Sequence, residues 1–250
     1  MASQTSQPLH VLAAAAHPDD IELTCAGTLI KMARMGYRVG ILDLTRGEMG
    51  TRGTSEERVK EAENAARIMG LAERENAGLR DGYLSSDTEE LRLALIKALR
   101  KYRPALWIVP CSEDRHPDHA AVGRAGLEAA FLAGLRKIES GQPMFRPVWT
   151  LQYFCRWDSA FSFIVDVSDV FAKRLEAINA YQSQFDPDSG DPQTYISRPQ
   201  FLQSIIARAQ YYGSKIEAAY GEPFVSKESL RVDDPVAFLA GSRPEWATLR

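Results

Sequence analysis

Short apolar runs alternate with helix-like stretches through roughly the first 140 residues, and this alternation limits the chain to few folds. The apolar runs predict strands at 9–16, 39–45, 76–79 and 105–110. Helical spacing of the apolar positions predicts helices at 21–35, 55–69, 88–102 and 118–137. Strands that alternate with helices of this length imply parallel crossovers. We therefore expect an α/β fold, a Rossmann-like three-layer sandwich with a mostly parallel sheet.

The pattern changes after Gly141, and the remaining segment is expected to complete the same domain. Two strands are predicted at 149–156 and 162–167, and helices at 168–184 and 199–220, with a loop at 185–195. A chain of 250 residues can form one large domain. We expect a single domain over 1–250, with a core at about 8–140 that the segment at about 148–226 completes.

Charge and cysteine content exclude several classes of protein. The 30 Lys and Arg residues nearly balance the 33 Asp and Glu residues, so we expect neither nucleic acid nor membrane partners. The 3 cysteines are far apart, which indicates neither a disulfide framework nor a thiolate zinc site. Apolar runs are too short to cross a bilayer, and the first residues show no signal-peptide pattern. The expected location is the cytoplasm.

Two related tetrapeptides contain three of the 4 histidines. They are His17-Pro18-Asp19-Asp20 and His116-Pro117-Asp118-His119, and each follows a predicted buried strand and opens a helix. A strand order of 3-2-1-4 would make the first and fourth strands neighbours at the switch point, where ligands bind in such sheets. The two tetrapeptides should then face each other across a crevice. His10 lies away from that edge and is interpreted as structural.

The residue types in this crevice are typical of a catalytic zinc site. His17 and Asp20 are three residues apart at a helix start, so both can point at one position. His119 would reach the same position from the other loop. Two imidazoles and one carboxylate, with an open position for water, match catalytic zinc centres.

Three further side chains could act beside the metal. Zinc brings the pKa of its water toward ~7, and Asp19 is placed to accept the proton. His116 could polarise a developing oxyanion or protonate a leaving amine, and Asp118 could orient the His116 ring.

Other interpretations of the tetrapeptides remain open. His-Pro-Asp at a strand–helix junction can simply cap the helix, although two copies at one sheet edge favour a metal. The same ligand set holds Fe(II) in oxygenases, usually on all-β folds. A non-catalytic sugar-binding module is a further alternative, but it would leave Asp19 and His116 unexplained.

The tetrapeptides, together with residues 21–29 and Glu113–His119, resemble the LmbE-like (PIG-L) family of zinc-dependent N-deacetylases over about residues 8–226. The segments that resemble its bacillithiol-biosynthesis branch are 45–54, 181–185 and 220–224. That branch removes acetate from N-acetylglucosaminyl malate. The resemblance implies an LmbE-like fold and a small amino-sugar conjugate as substrate. GlcNAc-inositol and N-acetylated oligosaccharides are the alternative substrates.

The family's site residues carry over to matching positions of this chain. The resemblance implies His17, Asp20 and His119 as ligands of Zn²⁺, or of Fe²⁺ or another divalent metal. It implies Asp19 as general base and His116 as acid and oxyanion stabiliser. It also implies a homo-oligomer, a trimer or a hexamer.

The resemblance further implies that Arg58 and Arg115 contact the substrate, which suits the arginine fork. From sequence alone, the charged segment 56–61 favours a solvent-exposed position for Arg58. Phe201 stands where some relatives have a tyrosine, so a hydroxyl contact is expected to be missing there. The glycine-rich segment Gly47–Gly53 is predicted to form a loop at the rim of the pocket.

Overall fold

A seven-stranded sheet forms the centre of the computed structural model, which describes residues 7–157, 160–187 and 190–240. The strands are β1 (Val11–Ala15), β2 (Val39–Thr45), β3 (Glu73–Leu79), β4 (Leu106–Pro110), β5 (Trp149–Tyr153), β6 (Phe163–Asp166) and β7 (Gly221–Ser226). The helices of the described residues are α1 (Asp20–Thr24), α2 (Ala26–Arg34), α3 (Ser55–Met69), α4 (Glu89–Tyr102), α5 (Pro117–Leu132), α6 (Phe171–Asn179), α7 (Gln182–Phe185), α8 (Pro199–Ser214) and α9 (Pro235–Ala240).

The strand order is β3-β2-β1-β4-β5-β7-β6. Strands β1 to β5 pair in parallel, and β7 runs antiparallel between β5 and β6. This confirms the predicted α/β fold and the predicted 3-2-1-4 order. The strands that follow residue 148 extend the same sheet.

Strand β1 shows why its run is apolar throughout. Val11, Ala13 and Ala15 belong to the core on one face of the sheet. Leu12 and Ala14 belong to the core on the other face. Because side chains alternate along a strand, a strand covered on both faces must be apolar at every position.

Several element boundaries differ from the sequence predictions. The predicted helix 21–35 is two helices that meet at Cys25, whose ψ of 17° interrupts the helical path. The predicted helix 168–184 likewise divides into α6 and α7. The helices predicted to reach 137 and 220 end earlier, at Leu132 and Ser214. Strand β3 begins at Glu73 rather than 76, because an edge strand tolerates the charged residues that hide its pattern.

Glu222 of β7 explains the start of α2. Its carboxylate accepts hydrogen bonds from the backbone amides of Gly27, at 2.9 Å, and Thr28, at 2.7 Å. These amides lack partners within the helix, and a carboxylate is favoured at a helix N-terminus. A strand nearly 200 residues away in sequence therefore caps this helix.

In the described part of the chain, no helix is both long and apolar enough to cross a membrane.

Candidate metal centre

The two tetrapeptides meet at the carboxyl ends of β1 and β4, as predicted. The ring centroids of His17 and His119 are 5.3 Å apart, and those of His116 and His119 are 4.6 Å apart. The site forms there because β1 and β4 are direct neighbours in the sheet. Loops distant along the chain therefore place three imidazoles together.

Three of these side chains are arranged as a possible ligand set. Each of the three residues, His17, Asp20 and His119, offers one ligand atom, and these three atoms lie within 4.8 Å of one another. Asp20 lies between the rings, with Oδ2 3.4 Å from Nδ1 of His17 and Oδ1 3.2 Å from Nε2 of His119. Two imidazoles and a carboxylate at this spacing can hold one metal ion.

In His17 and His119, the ring nitrogen that does not face Asp20 lies close to a second carboxylate. The sequence did not reveal these two carboxylates. Nε2 of His17 is 2.9 Å from Oδ1 of Asp81, and Nδ1 of His119 is 3.1 Å from Oδ1 of Asp114. Carboxylates in this position orient metal-binding imidazoles. Asp114 lies inside the segment that resembles the family, so its place near the site could have been suspected. Asp81 follows strand β3, and no local pattern marks it.

The charges of the site fit a cation. Burial alone would lower the pKa of His17, but Asp20, Asp118 and Asp81 raise it well above its usual value. The pKa of His119 is also raised against the effect of burial, chiefly by Asp20. Burial would raise the pKa of Asp20, yet the two histidines hold it well below its usual range. Since the carboxylates favour positive charge between these rings, the donor set fits a divalent metal ion.

Asp19 lies beside this set in an unusual backbone conformation. Its φ is 105°, a region that few residues other than glycine adopt, and aspartate is among those that tolerate it. Arg58 donates hydrogen bonds to the Pro18 carbonyl and, at 3.2 Å, to Oδ2 of Asp19. Burial raises the pKa of Asp19 to about 7, although Arg58 opposes the shift. A carboxylate with this pKa suits proton transfer near neutral pH.

Arg58 is not on a solvent-exposed face, so the interpretation favoured by sequence alone is wrong. It is 5% exposed, because α3 turns it toward the tetrapeptide at 17–20. Gly47 makes room for it: a Cβ there would lie 3.1 Å from the guanidinium, and the φ of +69° also favours glycine. The substrate contact implied for Arg58 stays a prediction.

His116 and Asp118 have different surroundings. His116 caps α5, and its Nδ1 accepts a hydrogen bond from the Asp118 amide. Burial and the neighbouring histidines lower the pKa of His116. The Asp118 carboxylate accepts hydrogen bonds from the amides of Gly82, at 2.8 Å, and Leu84, at 3.2 Å, and lies 3.5 Å from Nε2 of His17. It thus holds the loop after β3, a partner that the sequence did not predict.

A cavity of about 650 Å³ opens over these residues. The glycine-rich loop predicted at the rim lines it through Gly47 and residues 49–52. Arg58 and the exposed Arg115 also line it.

Another part of the cavity wall is formed by residues that follow β5 in the chain. Phe201 lines it, and the ring of Tyr195 stands edge-on to Phe201 with centroids 5.5 Å apart. The Tyr195 hydroxyl accepts a hydrogen bond from Arg156 at 3.1 Å. Tyr195, six residues before Phe201, therefore brings a tyrosine side chain to the cavity. Sequence reasoning missed both Tyr195 and Arg156.

Comparisons with known proteins show the family to which the chain belongs. Residues 12–130 match the family model described as PIG-L, GlcNAc-PI de-N-acetylase. The chain is 32% identical to a probable N-acetyl-alpha-D-glucosaminyl L-malate deacetylase 2 of Bacillus anthracis, over 70% of this chain and 81% of that one. It is 29% identical to the diacetylchitobiose deacetylase of Thermococcus kodakarensis, over 85% and 80%. The conserved protein TT1542 of Thermus thermophilus superposes with a TM-score of 0.82 at 42% identity, over 90% and 98%.

The sheet, the paired His-Pro-Asp loops and these similarities define an amide hydrolase, as predicted, of the class that removes N-acetyl groups. The chain belongs to the PIG-L family.

Proposed function

We propose that this protein is a zinc-dependent deacetylase of an N-acetylglucosamine conjugate, with N-acetylglucosaminyl malate as its substrate. The observation that carries the proposal is the position of Asp19, a buried carboxylate beside the His17, Asp20 and His119 set at the floor of an open cavity. A ligand set with a separate base beside it suits hydrolysis better than binding alone.

The metal would be held by His17, Asp20 and His119. When bound, zinc supplies Lewis acidity that activates water at neutral pH and polarises an amide carbonyl. Fe²⁺ or another divalent metal would fit the same donors.

The protein's own groups handle the protons. Asp19 accepts a proton from the attacking water, and Arg58 keeps its carboxylate in place. Nδ1 of His116 accepts a hydrogen bond from the Asp118 amide, so in the neutral ring Nε2 carries the proton. His116 lines the cavity, and its Nε2–H can donate a hydrogen bond to the carbonyl oxygen as negative charge develops there. The departing amine receives the proton that Asp19 took from water, so both side chains return to their starting states. Acetate and the free amino sugar are the products.

Arginines around the cavity support an acidic substrate. Arg58, Arg115 and Arg156 all line it. A malate group carries carboxylates, which arginine binds with paired hydrogen bonds. N-acetylated oligosaccharides are the second candidate, favoured by the Tyr195 ring, which is 49% exposed at the cavity and could stack on a sugar face.

An amine-release assay tests the substrate. The purified protein would be given N-acetylglucosaminyl malate, the GlcNAc-inositol analogue, diacetylchitobiose and GlcNAc, each with and without a chelator. We expect the malate conjugate to react fastest and the chelator to abolish activity. Faster release from diacetylchitobiose would replace malate with an oligosaccharide. Oxygen consumption without amine release would favour an Fe(II) oxygenase instead.

Arg115→Ala sharpens this assay. Loss of a charged hydrogen bond costs about 1.5–3 kcal/mol, so KM for the malate conjugate should rise about tenfold or more with little change in kcat. Neutral substrates should be affected less. The exposed Arg136, which does not line the cavity, gives the matched control Arg136→Ala. Equal effects of both variants would contradict the role of Arg115.

The proposal includes the assembly and location predicted from sequence. We propose one domain that forms a trimer or hexamer in the cytoplasm. Light scattering on the purified protein tests the assembly, and a monomer at all concentrations would contradict it.

A further inference from the structure

Cys155 lies beside His119, one of the proposed ligands of the catalytic metal. It follows β5 by two residues and borders the cavity. It is grouped with Asp114 and His119: each of the three side chains offers one ligand atom, and these atoms lie within 4.8 Å of one another. We propose that these three side chains form a second metal site, which takes thiophilic divalent cations such as Cd²⁺ or excess Zn²⁺ and thereby inhibits the enzyme.

The donors suit such a cation. Zinc binds thiolate, imidazole and carboxylate at about 2.0–2.3 Å in a tetrahedron, which places ligand atoms roughly 3.3–3.8 Å apart. Small side-chain movements bring the present atoms to that spacing. Soft sulfur ligands select zinc and cadmium over Mg²⁺ or Mn²⁺.

Asp114 is already fixed in place for this role. Its Oδ1 accepts a hydrogen bond from the His116 amide, and its Oδ2 accepts one from the Arg156 amide, both at 2.9 Å. Oδ1 also faces Nδ1 of His119, so Oδ2 is the oxygen that keeps a further lone pair for a metal. The sequence does not reveal this site, because its three donors are far apart along the chain. They come from the loop after β4, from α5 and from the residues just after β5.

The two sites share His119. A neutral imidazole has one nitrogen with a free lone pair. The catalytic set uses Nε2, which faces Asp20, and leaves the proton on Nδ1, which faces Asp114. The second site needs Nδ1, so the ring proton must move to Nε2. The Cys155 thiol releases its proton to solvent as the sulfur–metal bond forms. A metal at the second site therefore takes His119 from the catalytic set and leaves the catalytic ion on His17 and Asp20 alone. The inhibited protein then holds two ions, so it forms only when the metal is in excess.

Cadmium titration tests the site without relying on activity. Thiolate-to-cadmium charge transfer gives an ultraviolet absorption band, which we expect to grow as Cd²⁺ is added to the protein. Cys155→Ser and Cys155→Ala should lose the band. Cys111→Ser is the matched control, since Cys111 is also half-buried but is not in the set, and it should keep the band. A band that survives loss of Cys155, or that disappears with Cys111, overturns the proposal.

Zinc inhibition gives the second measurement. Amine release would be followed from one equivalent of zinc to a large excess, and wild type should be inhibited at the high end. Loss of outer-shell partners alone weakens metal sites about 10–100-fold, so loss of the thiolate should raise the inhibitory zinc concentration at least about tenfold. Unchanged inhibition in Cys155→Ser contradicts the proposal.

Alkylation of the wild-type protein requires no variant. Excess zinc should protect Cys155, but not Cys111, from iodoacetamide, as read by mass spectrometry. Equal labelling of Cys155 with one equivalent and with excess zinc contradicts the site.

Discussion

The tetrapeptides at 17–20 and 116–119 have nearly the same sequence but different backbone paths. In the first, Asp19 has a φ of 105° and α1 begins only at Asp20. In the second, His116 is the extended N-cap and Pro117 is already the first residue of α5. The third residue of each tetrapeptide is an aspartate, yet Asp19 faces the cavity whereas Asp118 accepts amide hydrogen bonds from the loop after β3.

This difference shows that chemical role follows backbone path rather than motif. Proline suits the first turn of a helix, so Pro117 begins α5 at once and turns Asp118 inward. Pro18 is instead part of a turn, whose carbonyl is bound by Arg58. The positive φ at Asp19 costs about 1–3 kcal/mol, and such strain persists where surrounding contacts enforce it. Four substitutions test how far the two loops differ.

The largest expected effect comes from Asp19→Asn. Asparagine tolerates a positive φ, so the loop should keep its shape while the proton acceptor is lost. Turnover should fall about 10²–10⁴-fold, with zinc content unchanged. The measurement is kcat for amine release together with metal analysis. The equivalent substitution in the other loop, Asp118→Asn, should lower turnover much less, and equal losses would erase the distinction between the loops.

His116→Ala should have the next largest effect. Loss of one oxyanion donor costs about 10²–10³-fold in kcat. Metal binding should persist, because the proposed ligands are His17, Asp20 and His119. Single-turnover rates and zinc content separate the two effects. A variant purified without zinc would place His116 among the ligands instead.

His119→Ala should act on metal affinity. Removal of one ligand should weaken zinc binding at least about 10–100-fold, the loss seen when only outer-shell partners are removed. Competition with a chromophoric chelator measures this affinity. His10→Ala is the control, since His10 lies at the other end of β1, where its Nδ1 accepts a hydrogen bond from the Arg38 amide. Equal zinc affinity in both variants would refute the ligand role of His119.

The smallest expected effect is that of Asp118→Asn on stability. The amides of Gly82 and Leu84 would lose a charged acceptor, which costs about 1–3 kcal/mol of the free energy of unfolding. That corresponds to a fall in Tm of about 2–4 °C per kcal/mol for a chain of this size. Calorimetry measures it, with exposed Asp87→Asn as the control. An unchanged Tm would show that these hydrogen bonds do not hold the loop.

Much of the fold could be predicted, because local patterns of apolar residues determine where strands and helices form. Strand β1 is apolar at every position because both of its faces are covered. The helices were harder to bound, since their ends depend on distant groups. The division between α1 and α2 and the cap of α2 by Glu222 involve a strand far away in sequence, and no local pattern records that contact.

The candidate site, like the fold, could be predicted from the sequence only in part. His17, Asp20 and His119 were recognisable because histidine is scarce and follows two neighbouring strands. Arg58 was named only through the family resemblance. Its own segment predicts a solvent-exposed position, because charged helix segments usually face solvent, and only packing against the Pro18 carbonyl buries it. Asp81 and Cys155 belong to no recognisable pattern, and each reaches a histidine only through the folded chain.

By itself, the sequence determined the α/β architecture and the loops that carry the histidines, because strand burial and helix periodicity are local properties of the chain. Only the tertiary structure decided which carboxylate holds which imidazole, why Asp19 and Asp118 differ, and how Cys155 comes to lie against His119. Those contacts join residues far apart in sequence, and their geometry depends on how strands, helices and loops pack at one edge of the sheet.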